Sequence, residues 1–259
     1  MNPGRVTLTL DQGIARIVFD RPEARNAMTK PMYADLHEIC RTLAGRDDIR
    51  LAILRGAGGE AFVAGSDIGI FESFETGADG VAYEAEMEIY TRALADLPFP
   101  TLAVIEGWAV GGGLNLASVC DLRIATPDAR MGVPIAKTVG NCLSIENYAR
   151  LVAGFGASRA KRLLMVGDFL GAEEALACGF IFEIVARDTL EDRIAALAAR
   201  IAGNAPITLR VSKQAIGRVL DAGVLPDADD LIAEAYGSAD FRTGIAAFKA
   251  KARPAWTGR

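Results

Sequence analysis

The sequence predicts an α/β fold, a layered core followed by a helical region, and three observations carry that expectation. The chain has 259 residues, 51% hydrophobic and 24% charged. A chain of this size buries about 70% of its unfolded surface in one large domain, and such a composition excludes intrinsic disorder. Short strand-like runs alternate with helix-period segments early on, and from Asn147 onward the pattern is almost entirely helical. The expected division is an α/β core over residues 1–200 and a helical region over 201–259.

The elements follow in order. Residues 6–10 and 14–19 alternate as strands, with Asp11-Gln12-Gly13 as their turn. Thr29 is placed to cap a helix over 30–43, with Pro31 at its start. A strand over 50–55 runs into the glycine cluster 56–59. Residues 62–67 are a short strand entering a turn, and 83–97 have helical spacing up to Pro98. A buried strand at 101–105 leads through 106–113 into a helix at 114–119, and 122–125 is another strand. A short helix and one last strand are expected within 167–185. Helices are expected over 188–202, 207–220, 227–236 and 240–251.

Charge and composition narrow the function. Lys plus Arg number 28 against 33 Asp plus Glu, a net charge of −5. No basic stripe marks nucleic acid as a partner. Mean hydropathy is +0.23, yet no run of about 18 uncharged apolar residues exists to span a membrane. The N-terminal residues lack the apolar core of a signal peptide, so the expected location is cytoplasmic. Cys40, Cys120, Cys142 and Cys178 form no CxxC pair and read as buried thiols in a reducing compartment. With His37 the one histidine, read as structural, Ser-His-Asp chemistry is excluded and no metal site is expected.

The most informative segment is residues 101–121. An apolar strand meets Gly111, Gly112 and Gly113, and a helix opens at once. Without a Cβ these positions admit a ligand close to the backbone, where the helix start offers N–H groups without partners. Such a place suits a phosphate or an oxyanion developing during reaction. Neither GK[ST] nor GxGxxG is present to favour phosphate. The alternative is that the glycines serve tight packing of helix on strand. A second strand end, Phe62 to Ile70, carries a Gly-containing turn, and two such turns facing one another supply two N–H donors to one oxygen.

Together these segments resemble the enoyl-CoA hydratase/isomerase (crotonase) superfamily. The resemblance rests on residues 20–27 (Asp-Arg-Pro-Glu-Ala-Arg-Asn-Ala), 62–68, 106–113 (Glu-Gly-Trp-Ala-Val-Gly-Gly-Gly), Cys120-Asp121, 131–134 (Met-Gly-Val-Pro), 170–179 and 244–256. It implies a spiral of ββα units, trimers often paired into hexamers through the helical C-terminal region, and an acyl-CoA thioester as ligand. It implies an oxyanion hole made by the backbone N–H groups of Ser66 and Gly112, which stabilises a thioester enolate. It calls for no metal or redox cofactor, only the coenzyme A of the substrate. By the same resemblance the loop Glu23-Ala24-Arg25 and the strand end at Ala64 and Ile68 lie along the pantetheine and adenine. Phe248, Lys251 and Trp256 fall where relatives close over the nucleotide. A lysine suits phosphate there, although Lys249 and Lys251 also fit a solvated helix face.

The chain departs from the family pattern at the acid/base positions. The two hydratase glutamates fall at Asn115 and Ile135. An amide cannot take a proton at neutral pH, and Ile can neither orient a water nor titrate. Asn141, near the place of an aspartate in some isomerases, again offers an amide. Glu84, Glu86 and Glu88 lie on the helix expected to cover the pocket. Glu86 and Glu88 are the candidates to reach the acyl group, although acids so spaced on a surface helix are usually solvated. Asp67 and Asp121 suit turn and helix-end hydrogen bonding. The expected activity is a hydratase/isomerase-type reaction through a thioester enolate. The alternatives are another enolate reaction, such as thioester hydrolysis or decarboxylation, or an acyl-CoA-binding protein without catalysis.

Overall fold

The computed structural model describes residues 2–221 and 229–255. Strands β1 (Arg5–Asp11) and β2 (Ile14–Asp20) form an antiparallel hairpin. Helix α1 (Lys30–Ala44) starts where Thr29 Oγ accepts the Met32 N–H. Three strand–strand–helix units follow. They are β3 (Leu51–Gly56), β4 (Ala61–Val63) and α2 (Gly77–Ala95); β5 (Thr101–Ile105), β6 (Trp108–Val110) and α3 (Gly112–Val119); and β7 (Leu122–Ala125), β8 (Arg130–Gly132) and α4 (Ile145–Phe155). The chain continues through α5 (Ala157–Lys161), β9 (Phe169–Gly171), α6 (Ala172–Ala177), β10 (Glu183–Ile184), α7 (Leu190–Ala202), α8 (Pro206–Asp221), α9 (Asp229–Gly237) and α10 (Ala239–Lys249).

In each unit the first strand joins one sheet and the second joins another. The six-stranded sheet has the order β1-β2-β3-β5-β7-β10, and the four-stranded sheet the order β4-β6-β8-β9. Pairing from β2 through β10 is parallel, as is β4-β6-β8. This is the expected spiral of ββα units. Both faces of the large sheet are covered, so its strands read as continuous apolar runs rather than alternating ones. Ala52, Leu54, Ala103 and Ile105 point into the main core. Leu51, Ile53, Leu102 and Val104 point the other way, onto Leu190, Ile194 and Leu197 of α7.

Several boundaries differ from expectation. Helix α2 begins six residues earlier than the periodicity predicts, because Asp79 accepts the N–H and hydroxyl of Thr76 and caps a first turn containing Gly77 and Gly80. Those glycines read locally as a turn, but α9 lies against them. A Cβ on Gly77 would sit 2.1 Å from the Ala233 carbonyl, and one on Gly80 2.2 Å from the Tyr236 ring. Helix α3 starts at Gly112 rather than residue 114, after the three-residue β6. Strands β8 and β9 are too short for an alternating pattern to reveal. Cys40 and Cys120 are buried as expected. Cys142 and Cys178 are only half-buried, since one lies in the loop before α4 and the other at the end of α6. Trp256 and the start of the helix expected at 227 lie outside the described residues.

Candidate active site

The parallel pairing of β4 with β6 sets their C-terminal ends side by side. Each strand then turns through a glycine with positive φ, Gly65 at 106° and Gly111 at 53°. At such angles a side chain is strained, so these turns need glycine. The backbone around Ser66 is tied to α1's approach: Met28 N–H donates to the Gly65 carbonyl, and Asp67 N–H donates to that of Met28. Gly111 N–H donates to Gly132, and the Gly111 carbonyl accepts from Asn115. The N–H groups of Ser66 and Gly112, between these ties, have no acceptor among the described residues.

The three glycines divide their roles. A Cβ on Gly113 would lie 2.0 Å from the Val63 carbonyl, so this glycine serves close packing of α3 on β4. A Cβ on Gly112 would instead meet three polar atoms: Tyr33 Oη at 2.8 Å, Ser66 Oγ at 3.1 Å and Ser66 N at 3.7 Å. Packing alone explains Gly113; the absent Gly112 side chain leaves polar groups converging on one spot.

That spot opens into a cavity of about 770 Å³. Ser66, Gly112, Asn115, Ile135 and Asn141, the five reaction-centre positions read from the sequence, all line it. So do Arg25, Ala64, Ile68, Phe248 and Lys251, five of the positions assigned to coenzyme A. Arg25 is held at the rim by unusual backbone. It and Asn26 have φ of 50° and 59°, while the Asn26 side chain accepts from Arg21 N–H and donates to the carbonyls of Ala57 and Ala61. The Arg25 carbonyl accepts from Ala64, which binds this loop to the end of β4.

Helices supply a polar wall. Ser66 Oγ lies 2.9 Å from Tyr33 Oη and 2.8 Å from Tyr83 Oη. Burial pushes the Tyr33 phenol up to about 12 and Tyr83 well above its ordinary value. Glu84 is 4% exposed, and its carboxyl accepts from Tyr236 Oη and from Ser144 N–H, each at 2.8 Å. Burial raises it to about 7 against the opposing effect of those two donors. Asn141 Nδ2 donates to Tyr236 Oη at 3.0 Å, while the side-chain oxygens of Asn141 and Asn115 are buried with no partner among the described residues.

The structure reassigns the acids. Glu84, not Glu86 or Glu88, lines the cavity. Glu86 accepts the Tyr90 hydroxyl at 2.6 Å, and Glu88 is paired with Arg150 at 2.5 Å. The helix turns these two away from the cavity, and their bonds to Tyr90 and Arg150 make neither a merely solvated acid. Asp67 and Asp121 behave as turn and helix-end groups. Asp67 accepts from Gly69 N–H and pairs with Arg21, and Asp121 accepts from Thr101 and Lys213. Lys249 pairs with Glu72 at 2.6 Å, whereas Lys251 faces the cavity. His37 packs beside Tyr90. Tyr33, Tyr83 and Tyr236 escaped sequence reasoning, having no local motif; the one hint was an aromatic beside an acid, Tyr83-Glu84, on the covering helix. Among the described residues no cluster of three His, Cys, Asp or Glu side chains is placed to hold a metal ion, and no helix is long and apolar enough to cross a membrane.

Comparison with known proteins gives a consistent picture. The profile of the enoyl-CoA hydratase/isomerase family matches residues 9–259. The (E)-benzylidenesuccinyl-CoA hydratase of Thauera aromatica is 32% identical over 98% of this chain and 99% of its own. An enoyl-CoA hydratase/carnithine racemase from Magnetospirillum magneticum superposes with a TM-score of 0.80 at 32% identity, covering 100% of this chain and 97% of the other. A methylmalonyl-CoA decarboxylase bound to 2-nitronate-propionyl-CoA superposes with a TM-score of 0.89 at 27% identity, over 98% and 99% of the two chains.

Proposed function

Since the chain belongs to the enoyl-CoA hydratase/isomerase family, which acts on acyl-CoA thioesters, we propose that it is an enzyme that stabilises a thioester enolate between the N–H groups of Ser66 and Gly112. The observation that supports this most is that these two donors, both without acceptors, face one cavity. A thioester carbonyl placed there is polarised, and each donor contributes about 10²–10³ in rate as charge develops on oxygen. Arg25 and Lys251 supply positive charge at the rim for the coenzyme A phosphates, with Ala64, Ile68 and Phe248 as apolar contacts. Coenzyme A arrives with the substrate, and no other cofactor is invoked.

The acid/base residues point away from two-glutamate hydration. Asn115 and Ile135 occupy the cavity wall where the resemblance places the two carboxylates. Glu84 is the one buried carboxyl of the wall among the described residues, and near 7 it is poised between its forms. A second reading, decarboxylation of a 2-carboxyacyl thioester, is favoured by the superposition on methylmalonyl-CoA decarboxylase. There the bond from the α-carbon to the carboxylate breaks, CO₂ leaves, its electron pair enters the enolate, and the α-carbon then takes a proton. No base is required to start that sequence, which suits a site without the two glutamates.

Assembly as a homotrimer or hexamer through the region 201–259 belongs to the same proposal. Its support is α8, which exposes Ile207, Val211, Ile216, Val219 and Leu220. The test of function is a panel of acyl-CoA thioesters followed by mass spectrometry, including crotonyl-CoA and methylmalonyl-CoA. Conversion of a member with loss of CO₂ selects decarboxylation, and gain of water selects hydration. Binding of several with conversion of none would make the chain a binding protein and end the enzyme reading.

A further inference from the structure

Three hydroxyls gather beside the two free N–H groups. They come from separate elements: Tyr33 from α1, Ser66 from the turn after β4, and Tyr83 from α2. Ser66 Oγ is the centre, 2.9 Å from one phenol and 2.8 Å from the other. Tyr33 and Tyr83 are 3% and 6% exposed, all three residues line the cavity, and beyond the two bonds to Ser66 the phenols have a weaker contact with each other.

The proton count decides what this cluster can do. Three hydroxyls carry three protons, and two hydrogen bonds engage two of them. These two short bonds leave one O–H over. A phenol is the better donor and an aliphatic alcohol the better acceptor, so both tyrosines donate to Ser66 Oγ. That arrangement fills both lone pairs of the serine oxygen and leaves the serine proton free. Burial and the neighbouring Glu84 keep both phenols protonated, so the arrangement persists at neutral pH. A buried donor without an acceptor is unfavourable. The free proton therefore marks where an acceptor atom of a ligand belongs, next to Ser66 N and Gly112.

We propose that the Ser66 hydroxyl, held by Tyr33 and Tyr83, donates a third hydrogen bond to the thioester oxygen that the N–H groups of Ser66 and Gly112 receive. This rests on the enolate reading above. The proton stays on its oxygen; it stabilises charge and transfers nowhere. Tyr33 and Tyr83 are positioning residues that occupy the acceptor side of Ser66 Oγ.

Acetoacetyl-CoA tests this without knowledge of the natural acyl group, because its enolate has its own ultraviolet absorbance. The enolate-to-keto ratio of the bound probe is measured at one fixed pH for the wild type, Ser66→Ala, Tyr33→Phe and Tyr83→Phe. All three variants keep both N–H groups. The expected result is a fall of about tenfold or more for Ser66→Ala and a smaller fall for each Tyr→Phe, with affinity for coenzyme A itself unchanged. A Ser66→Ala ratio equal to wild type overturns the proposal. A loss of coenzyme A affinity in step with the ratio also overturns it, since that is the mark of a structural role. If the wild type binds the probe without enriching its enolate, the underlying enolate reading falls as well, and this result is distinct from the other two.

Discussion

The phenol of Tyr236 donates a 2.8 Å hydrogen bond to the carboxyl of Glu84, 152 residues earlier in the chain. The other carboxyl oxygen takes the N–H of Ser144. Through this one acid, α9, α2 and the loop ahead of α4 are fastened around the cavity.

Glu84 makes stability depend on pH in a stated direction. Its carboxyl is raised from 4.5 to about 7 by burial, so the folded state holds this proton more firmly than the unfolded state. The contribution is fully present below the unfolded value and is lost as pH rises through about 7, a difference of about 3 kcal/mol. Glu84→Gln is neutral throughout and lacks this loss. Its melting temperature should therefore gain on wild type between about pH 5 and about pH 8. Parallel curves over that range would remove the assignment.

Gly112 and Gly113 should separate turnover from stability. Gly113→Ala drives a methyl into the Val63 carbonyl and should lower stability by about 1–3 kcal/mol, read by thermal melting. Gly112 opens α3, a helix position that accepts proline, and Gly112→Pro deletes the N–H donor. Turnover of whichever thioester the wild type converts should fall at least about 10²–10³-fold, since the proline Cβ also enters the spot beside Tyr33 Oη and Ser66 Oγ. A folded Gly112→Pro variant with full activity would show that the donor is elsewhere.

Crotonyl-CoA hydration should be slow. Each general acid–base group contributes about 10²–10⁴-fold, and Asn115 and Ile135 line the cavity at the positions where the family resemblance puts both. Asn115→Glu combined with Ile135→Glu should raise the hydration rate, followed by loss of the enoyl absorbance. Rapid hydration by the native chain would place the proton on another residue, and Glu84→Gln would be the first variant to examine.

Light scattering at micromolar concentration should give three or six times the 27.4 kDa chain mass. The exposed apolar side chains of α8, up to 75% exposed at Val219, are the reason, since patches of this kind mark association surfaces. Val211→Glu with Val219→Glu should lower the mass. A wild-type monomer would contradict the assembly proposal.

Ten of the positions named for the reaction centre and coenzyme A line one cavity, and that placement was legible because they sit at strand ends, in local motifs, or in a tail whose place the family resemblance supplies; Trp256 lies outside the described residues. The free N–H of Ser66 follows from Gly65, and that of Gly112 from the glycine ahead of a helix; both features lie within a few residues. The hydroxyl cluster was not legible. Tyr33, Ser66 and Tyr83 meet only when α1 and α2 pack over the end of β4, and no spacing in the sequence encodes that contact. Glu84 was passed over for Glu86 and Glu88 although it lies in the buried row of Tyr83, Met87, Thr91 and Leu94 along α2. The exposed Ile89 and the alanines spread around the helix blur that row in the sequence. The early start of α2 was hidden for a related reason: Gly77 and Gly80 are small to admit α9, a requirement set by residues 233 and 236.

The late position of Tyr236 orders events during synthesis. Ribosomes deliver about 5–20 residues per second, so the N–H pair, the three hydroxyls and Glu84 all emerge before the phenol that donates to Glu84. A nascent chain that ends before α9 holds its buried acid with one donor fewer, and lacks Phe248 and Lys251 at the rim. The acid acquires its final environment only as α9 docks, which ties the finished wall of the cavity to the emergence of α9 and α10.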